Sequence, residues 1–148
     1  MRAAMHSKSR PLQYEGYGLH AGDLPPFDHE NLDAAKIDPR TWFEHPERPF
    51  ELEIGSGKGT FLVQHAPLQP QVNFLGIEWS REFFSLAADR VRRHELANVR
   101  LLHDDATEFI RFRMPDANTR VIHLYFSDPW PKKKHHKRRV VQRLSLIH

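Results

Sequence analysis

Apolar positions are scattered over the first third of the chain and become periodic only afterwards. Residues 1–47 carry Pro11, Pro25, Pro26, Pro39 and Pro46 among scattered glycines and histidines. Without a sustained period they read as an irregular arm, with a short helix around Asn31 to Lys36. Phe50-Glu51-Leu52-Glu53-Ile54 then reads as a first strand, ended by Gly55, Gly57 and Gly59. Thr60 to Ala66 continues as a helix that closes near Pro67 and Pro70. Asn73 to Glu78 is a second, buried strand. Ser80 is placed to cap the next helix, with Glu82 in its first turn. Phe84, Ala87, Ala88 and Val91 share one face of that helix, while Arg90, Arg92, Arg93 and Glu95 face water. Asn98 ends it, and Val99 to His103 is a third strand. A short helix spans about Thr107 to Arg113, and Thr119 to Ser127 forms a fourth strand around Val121 to Phe126. Strands alternating with helices at this spacing predict an α/β fold with a parallel sheet and right-handed crossovers. No internal repeat interrupts the pattern.

Composition narrows the class. The 148 residues are 39% hydrophobic and 28% charged, which describes one globular domain of ordinary size. No run approaches the roughly 18 apolar residues of a membrane span, and the N-terminus lacks a secretory apolar stretch. Cysteine is absent. That excludes disulfide scaffolds, thiolate metal sites and cysteine nucleophiles, and it fits a cytoplasmic chain. Lys and Arg number 22 against 19 acids, a formal charge of only +3. Their distribution says more, because Lys132, Lys133, Lys134, Lys137, Arg138 and Arg139 fall in one short block. Such density implies a polyanionic partner.

Three places carry candidate chemistry. Glu53-Ile54-Gly55-Ser56-Gly57-Lys58-Gly59 lets backbone approach a ligand between a strand and a helix, although a tight turn alone would also use these glycines. The phosphate-cradling loop G-x-x-x-x-G-K-[ST] would need glycine at Leu52 and Ser or Thr at Gly59, so it fails. The dinucleotide spacing G-x-G-x-x-G is met poorly by G-x-G-x-G. Glu78 closes the second strand, where a carboxylate can accept from both hydroxyls of a ribose. With Asp105 and Asp128, the acids Glu53 and Glu78 mark the carboxyl ends of four successive strands, the edge where open α/β sheets bind ligands. One such acid alone reads more readily as a helix cap than as a ligand contact; four in register point to a ligand.

The third place is Phe126 to Arg139. Pro129 and Pro131 stiffen a loop that presents Trp130 beside Asp128, a surface on which a base can stack while lysines and arginines hold phosphates. Taken alone, the basic run would also suit a solvated helix start or a localisation signal. His135 and His136 are adjacent and point apart, and no carboxylate spacing supports them, so no metal site is expected.

The Glu53-to-Gly59 loop, Gly76-Ile77-Glu78, His103-Asp104-Asp105-Ala106 and the Asp128-to-Arg139 block together resemble the bacterial tRNA (guanine-N7)-methyltransferases, over roughly Phe50 to Gln142. The resemblance implies a class I, Rossmann-like fold, S-adenosylmethionine as cofactor, and tRNA as partner. It places Glu53, Glu78, Asp105 and Asp128 against the methyl donor, Asp128 as the catalytic residue, and Lys132 on the substrate. To these the local reading adds Gly55, Gly57 and Gly59 for the donor, and Trp130, Lys133, Lys137, Arg138 and Arg139 for the RNA. The implied reaction methylates N7 of a guanine in the variable loop. That nitrogen offers an unprotonated lone pair, so positioning matters more than a strong base. A carboxylate beside the purine would stabilise the developing positive charge.

The resemblance also sets expectations for what is missing. The family's sheet has seven strands, and this chain supplies about four. Later substrate-contacting residues, including a Thr-x-x-Glu segment, have no counterpart. Leu144-Ser145-Leu146-Ile147-His148 matches the translation of a sequencing adapter, CTG TCT CTT ATA CAC. The expected organisation is therefore an arm at 1–47, the first part of a methyltransferase domain at 48–143, and a non-native tail at 144–148. A fourth strand left at the sheet edge would make the chain marginal or self-associating. Two other readings stay open: a non-catalytic basic RNA-binding fragment, and a class I methyltransferase acting on an exocyclic amine. The latter favours Asp/Asn-Pro-Pro-aromatic loops, unlike Asp128-Pro129-Trp130-Pro131.

Overall fold

The computed structural model describes residues 10–116 and 118–124. Gly18–His20 forms β1, Phe50–Ile54 β2, Asn73–Glu78 β3, Val99–His103 β4 and Val121–Leu124 β5. Helix α1 covers Thr60–His65, α2 Arg81–Arg93 and α3 Ala106–Glu108. All strand pairs are parallel, in the order β1-β4-β3-β2-β5. The α/β class is thus as the periodicity predicts.

Every residue of β2 and the first five of β3 are buried, which explains why these runs lack a polar alternation. One apolar layer joins Leu62 of α1 with Phe84, Ala88 and Val91 of α2 over Phe74 and Leu101. The other joins Phe50, Leu52, Leu75, Ile77 and Leu102 with Phe43 and Phe109. Gly76 lies where the layers are tightest: a Cβ there would stand 2.7 Å from Leu62 Cδ1 and 2.8 Å from Leu101 Cδ1.

Ser80 caps α2 by accepting from the Phe83 amide at 3.3 Å. The helix stops at Arg93, before Asn98, and Glu95 then takes a left-handed φ of 53°. Asn98 has a different task. Its side-chain amide donates to the carbonyls of Ala66, Gln69 and Val72, at 2.9 to 3.1 Å, and pins the turn after α1. The short helix after β4 begins at Ala106 and continues as a π-helical turn, Phe109–Arg113, so that the Met114 amide reaches Phe109 O at 3.1 Å.

The arm departs most from its sequence pattern. Around Asn31 to Lys36 it makes turns closed by Ala35 N→Leu32 O and Lys36 N→Asp33 O, both 3.3 Å, in place of a helix. It also contributes β1, paired with β4 at Gly18↔Leu101, Leu19↔Leu102 and His20↔His103, so the described sheet has five strands. Buried Asp89 of α2 fastens this arm by accepting from Arg10 at 2.7 Å and the Gln13 amide at 3.0 Å. Arg92 and Arg93 reach the same carboxylate at 3.1 and 2.8 Å. β1 and β5 are the two edge strands among the described residues, and β5 is joined to β2 also through buried Glu51, which accepts from Arg120 and, at 2.7 Å, His123. Among the described residues no helix is long and apolar enough to cross a membrane.

Candidate functional site

The carboxyl edge of the sheet gathers most of the acids singled out above. β2 ends in a loop whose Gly55 and Gly57 have φ of 71° and 57°, a region that strains any residue with a Cβ. A Cβ at either would meet nothing within 4 Å, so this stretch of backbone faces open space. Gly59 serves packing instead, since its Cβ would stand 3.0 Å from Ala87 Cβ of α2.

Glu78, last residue of β3, braces the loop. Its Oε1 accepts from the Gly57 amide at 3.1 Å and its Oε2 from the Ser80 amide at 3.2 Å. One carboxylate therefore ties the glycine loop to the β3–α2 turn. A carboxylate has about four acceptor directions, so these two bonds leave capacity for ligand hydroxyls.

Glu53 is buried in β2, and its Oε1 has no hydrogen-bond partner. Burial, and secondarily the charge of Glu78, pushes its carboxyl up to about 8. Buried Ser56 in the adjoining loop has an equally unpartnered Oγ. Buried polar atoms are almost always satisfied, so two orphans in one loop region ask for a polar ligand.

Asp105, two residues past the end of β4, caps α3 by accepting from the Glu108 amide at 3.1 Å. Its neighbour Asp104 accepts from the Asp105 amide at 2.7 Å, and burial pushes its carboxyl up. Sequence reasoning weighed Asp105 and passed over Asp104, the second member of the same doublet. It also passed over Trp79, which is 68% exposed directly after Glu78. An aromatic beside a strand-end acid was the available signal. The structure thus joins Glu53, Gly55, Gly57, Gly59 and Glu78 at one place, with Asp105 starting the next segment of the same edge. Asp128, Trp130, Lys132, Lys133, Lys137, Arg138 and Arg139 lie outside the described residues. β5 pairs Leu124 with Ile54, so it delivers the chain to this same edge.

The chemistry of the edge is selective. Four carboxyl groups and a loop amide already bonded to Glu78 make a poor cradle for phosphate. They suit a ligand bearing hydroxyls and positive charge. At the opposite edge, a groove of about 330 Å³ is lined by Arg48, Asn73 and Asn98 among others. Its two asparagine amides are spent on backbone carbonyls.

Residues 47–147 match the family described as "Putative methyltransferase". A tRNA (guanine-N(7)-)-methyltransferase of Rhodopirellula baltica is 34% identical over 151 residues, covering 99% of this chain and 52% of the relative. Its counterpart from Geobacillus thermodenitrificans is 46% identical over 97 residues, covering 66% of this chain and 44% of the relative. Among solved structures, WbdD shares the fold, with a TM-score of 0.50 and 13% identity over 68% of this chain and 23% of WbdD. The chain spans about half the length of the curated relatives it matches. It belongs to this methyltransferase family.

Proposed function

From a methyltransferase chain with this edge, we propose S-adenosylmethionine as the ligand and methylation of guanine N7 in the tRNA variable loop as the reaction. The observation that carries the donor assignment is the orphaned Glu53 carboxyl beside a glycine loop braced by Glu78. Glu53 and Ser56 supply unused polar atoms for the polar end of the donor. Glu78 supplies acceptor capacity for ribose hydroxyls, and Gly55 and Gly57 let the backbone come close. Asp105 faces the donor from the next segment. The donor, when bound, provides a methyl group activated by a sulfonium. Asp128 holds the guanine and offsets the positive charge that develops on it. Trp130 walls the pocket, Lys132 contacts the substrate, and Lys133, Lys137, Arg138 and Arg139 hold tRNA phosphates. A tRNA substrate places the reaction in the cytoplasm.

The names of the relatives support the substrate assignment. A non-catalytic RNA-binding fragment would have no use for the Glu53–Glu78 arrangement. The test is methyl transfer from labelled S-adenosylmethionine to an unmodified tRNA transcript, followed by cleavage at N7-methylguanosine. Label in the variable loop, lowered roughly 100-fold or more in Asp128→Ala, is expected. Label on an exocyclic amine, or Asp128→Ala with full turnover, would overturn the assignment.

A further inference from the structure

The arm reaches the same edge through His20, which meets His103 of β4, and the proposed reaction uses neither histidine. His20 ends β1 and His103 ends β4, and the strand register sets them side by side, with Glu78 opposite His103 on β3. Their Nδ1 atoms are 3.1 Å apart. His103 Nε2 lies 3.0 Å from the Trp79 carbonyl, and His20 Nε2 lies 2.8 Å from Tyr14 Oη.

These partners fix every proton of the neutral pair. A carbonyl only accepts, so His103 carries its proton on Nε2 and its Nδ1 accepts. His20 must then donate from Nδ1, which leaves its Nε2 to accept from the Tyr14 hydroxyl. Aromatic rings pack around the pair. Phe84 of α2 stacks on His103 at 5.5 Å and meets the edge of His20 at 4.9 Å, while Tyr14 meets His20 at 5.5 Å. The titratable and charged groups facing His20 are His103, Asp23 and Arg81; burial first, then His103, holds its imidazole below the ordinary value and so favours the neutral form.

What the chain of bonds grips is the turn after Glu78. Trp79 lies between Glu78 and Ser80, the two residues whose carboxylate and amide close that turn at 3.2 Å. We propose that His103, held in its tautomer by His20 and Tyr14, is a positioning residue for donor binding, fixing the Trp79 carbonyl and with it the direction of the Glu78 carboxylate. The inference rests on reading this edge as the donor site. The arm is then part of the site although it lies before the residues that match the family, 47–147.

The test titrates S-adenosylhomocysteine into the full 148-residue chain and its variants, alongside nitrogen-15 histidine spectra of the ligand-free chain. His103→Phe keeps the ring packed against Phe84 but loses the donor, and is expected to bind roughly two- to tenfold more weakly. His103→Gln returns an amide donor near the Nε2 position and should bind within about twofold of the unaltered chain. A purely structural histidine would not be rescued this way. The spectra should show His20 protonated on Nδ1 and His103 on Nε2. His103→Phe binding as well as the unaltered chain, or His103→Gln binding as poorly as Phe, overturns the proposal while the donor reading stands. The opposite tautomers overturn it without any variant, should one fail to fold. No binding by the unaltered chain overturns the donor reading, and the positioning role with it.

Discussion

Glu53 stands one residue before the end of β2 with an unpartnered oxygen, and burial followed by the charge of Glu78 lifts its carboxyl to about 8. Because the folded value lies above the ordinary one, folding favours the protonated form. That advantage is complete in acid and is lost as pH rises from about 4.5 to about 8. Glu53→Gln is therefore expected to raise the melting temperature at pH 8.5 by a few degrees and to change little at pH 5, which thermal melts at both values will check. A cationic donor reverses the balance by stabilising the carboxylate. Titrating S-adenosylmethionine at pH 7 in buffers of different ionisation enthalpy should thus show release of up to one proton, absent in Glu53→Gln. The residue type and its strand-end place were legible in the sequence. The missing partner was not, because it depends on β3 lying alongside β2.

At the scale of elements, two buried carboxylates hold outlying strands to the sheet. Burial pushes Asp89 up, but the Gln13 amide, Arg92, Arg93 and Arg10 outweigh it and hold the carboxyl below its usual range. Asp89→Asn should loosen the arm and speed limited proteolysis between residues 10 and 24, read by mass spectrometry of the fragments. Burial likewise pushes Glu51 up, and Arg120 and His123 more than offset it, so this carboxyl also sits below its usual value. Its contribution is present above the ordinary carboxylate range and is lost as pH falls through the folded value. Glu51→Gln should cost about 1–3 kcal/mol at pH 7 and progressively less as the pH is taken down through the acid range, measured by urea unfolding at each pH. Central elements were easy to read because β2, β3 and α2 each carry their own period. β1 was not, since Gly18-Leu19-His20 has no local strand signal and forms only against β4. The turn at Leu32 to Lys36 shows the converse, where local propensity alone did not make a helix.

Across the whole molecule, the sheet order brings residues far apart in sequence to one edge. The acids and glycines of that edge could be recognised in the sequence because each follows its own strand. His20 and His103 could not be paired that way: 83 positions separate them, and only the register of β1 on β4 makes them neighbours. The same topology explains why the arm, which looks dispensable in composition, borders the site. The central claim is that this edge binds the methyl donor through Glu53 and Glu78. Calorimetric titration of S-adenosylhomocysteine into the chain, into Glu78→Ala and into Glu78→Gln tests it most directly. The account predicts one molecule bound per chain, with affinity lost in Glu78→Ala and only partly recovered in Glu78→Gln. Absence of binding to the unaltered chain, or equal affinity in all three proteins, would contradict it.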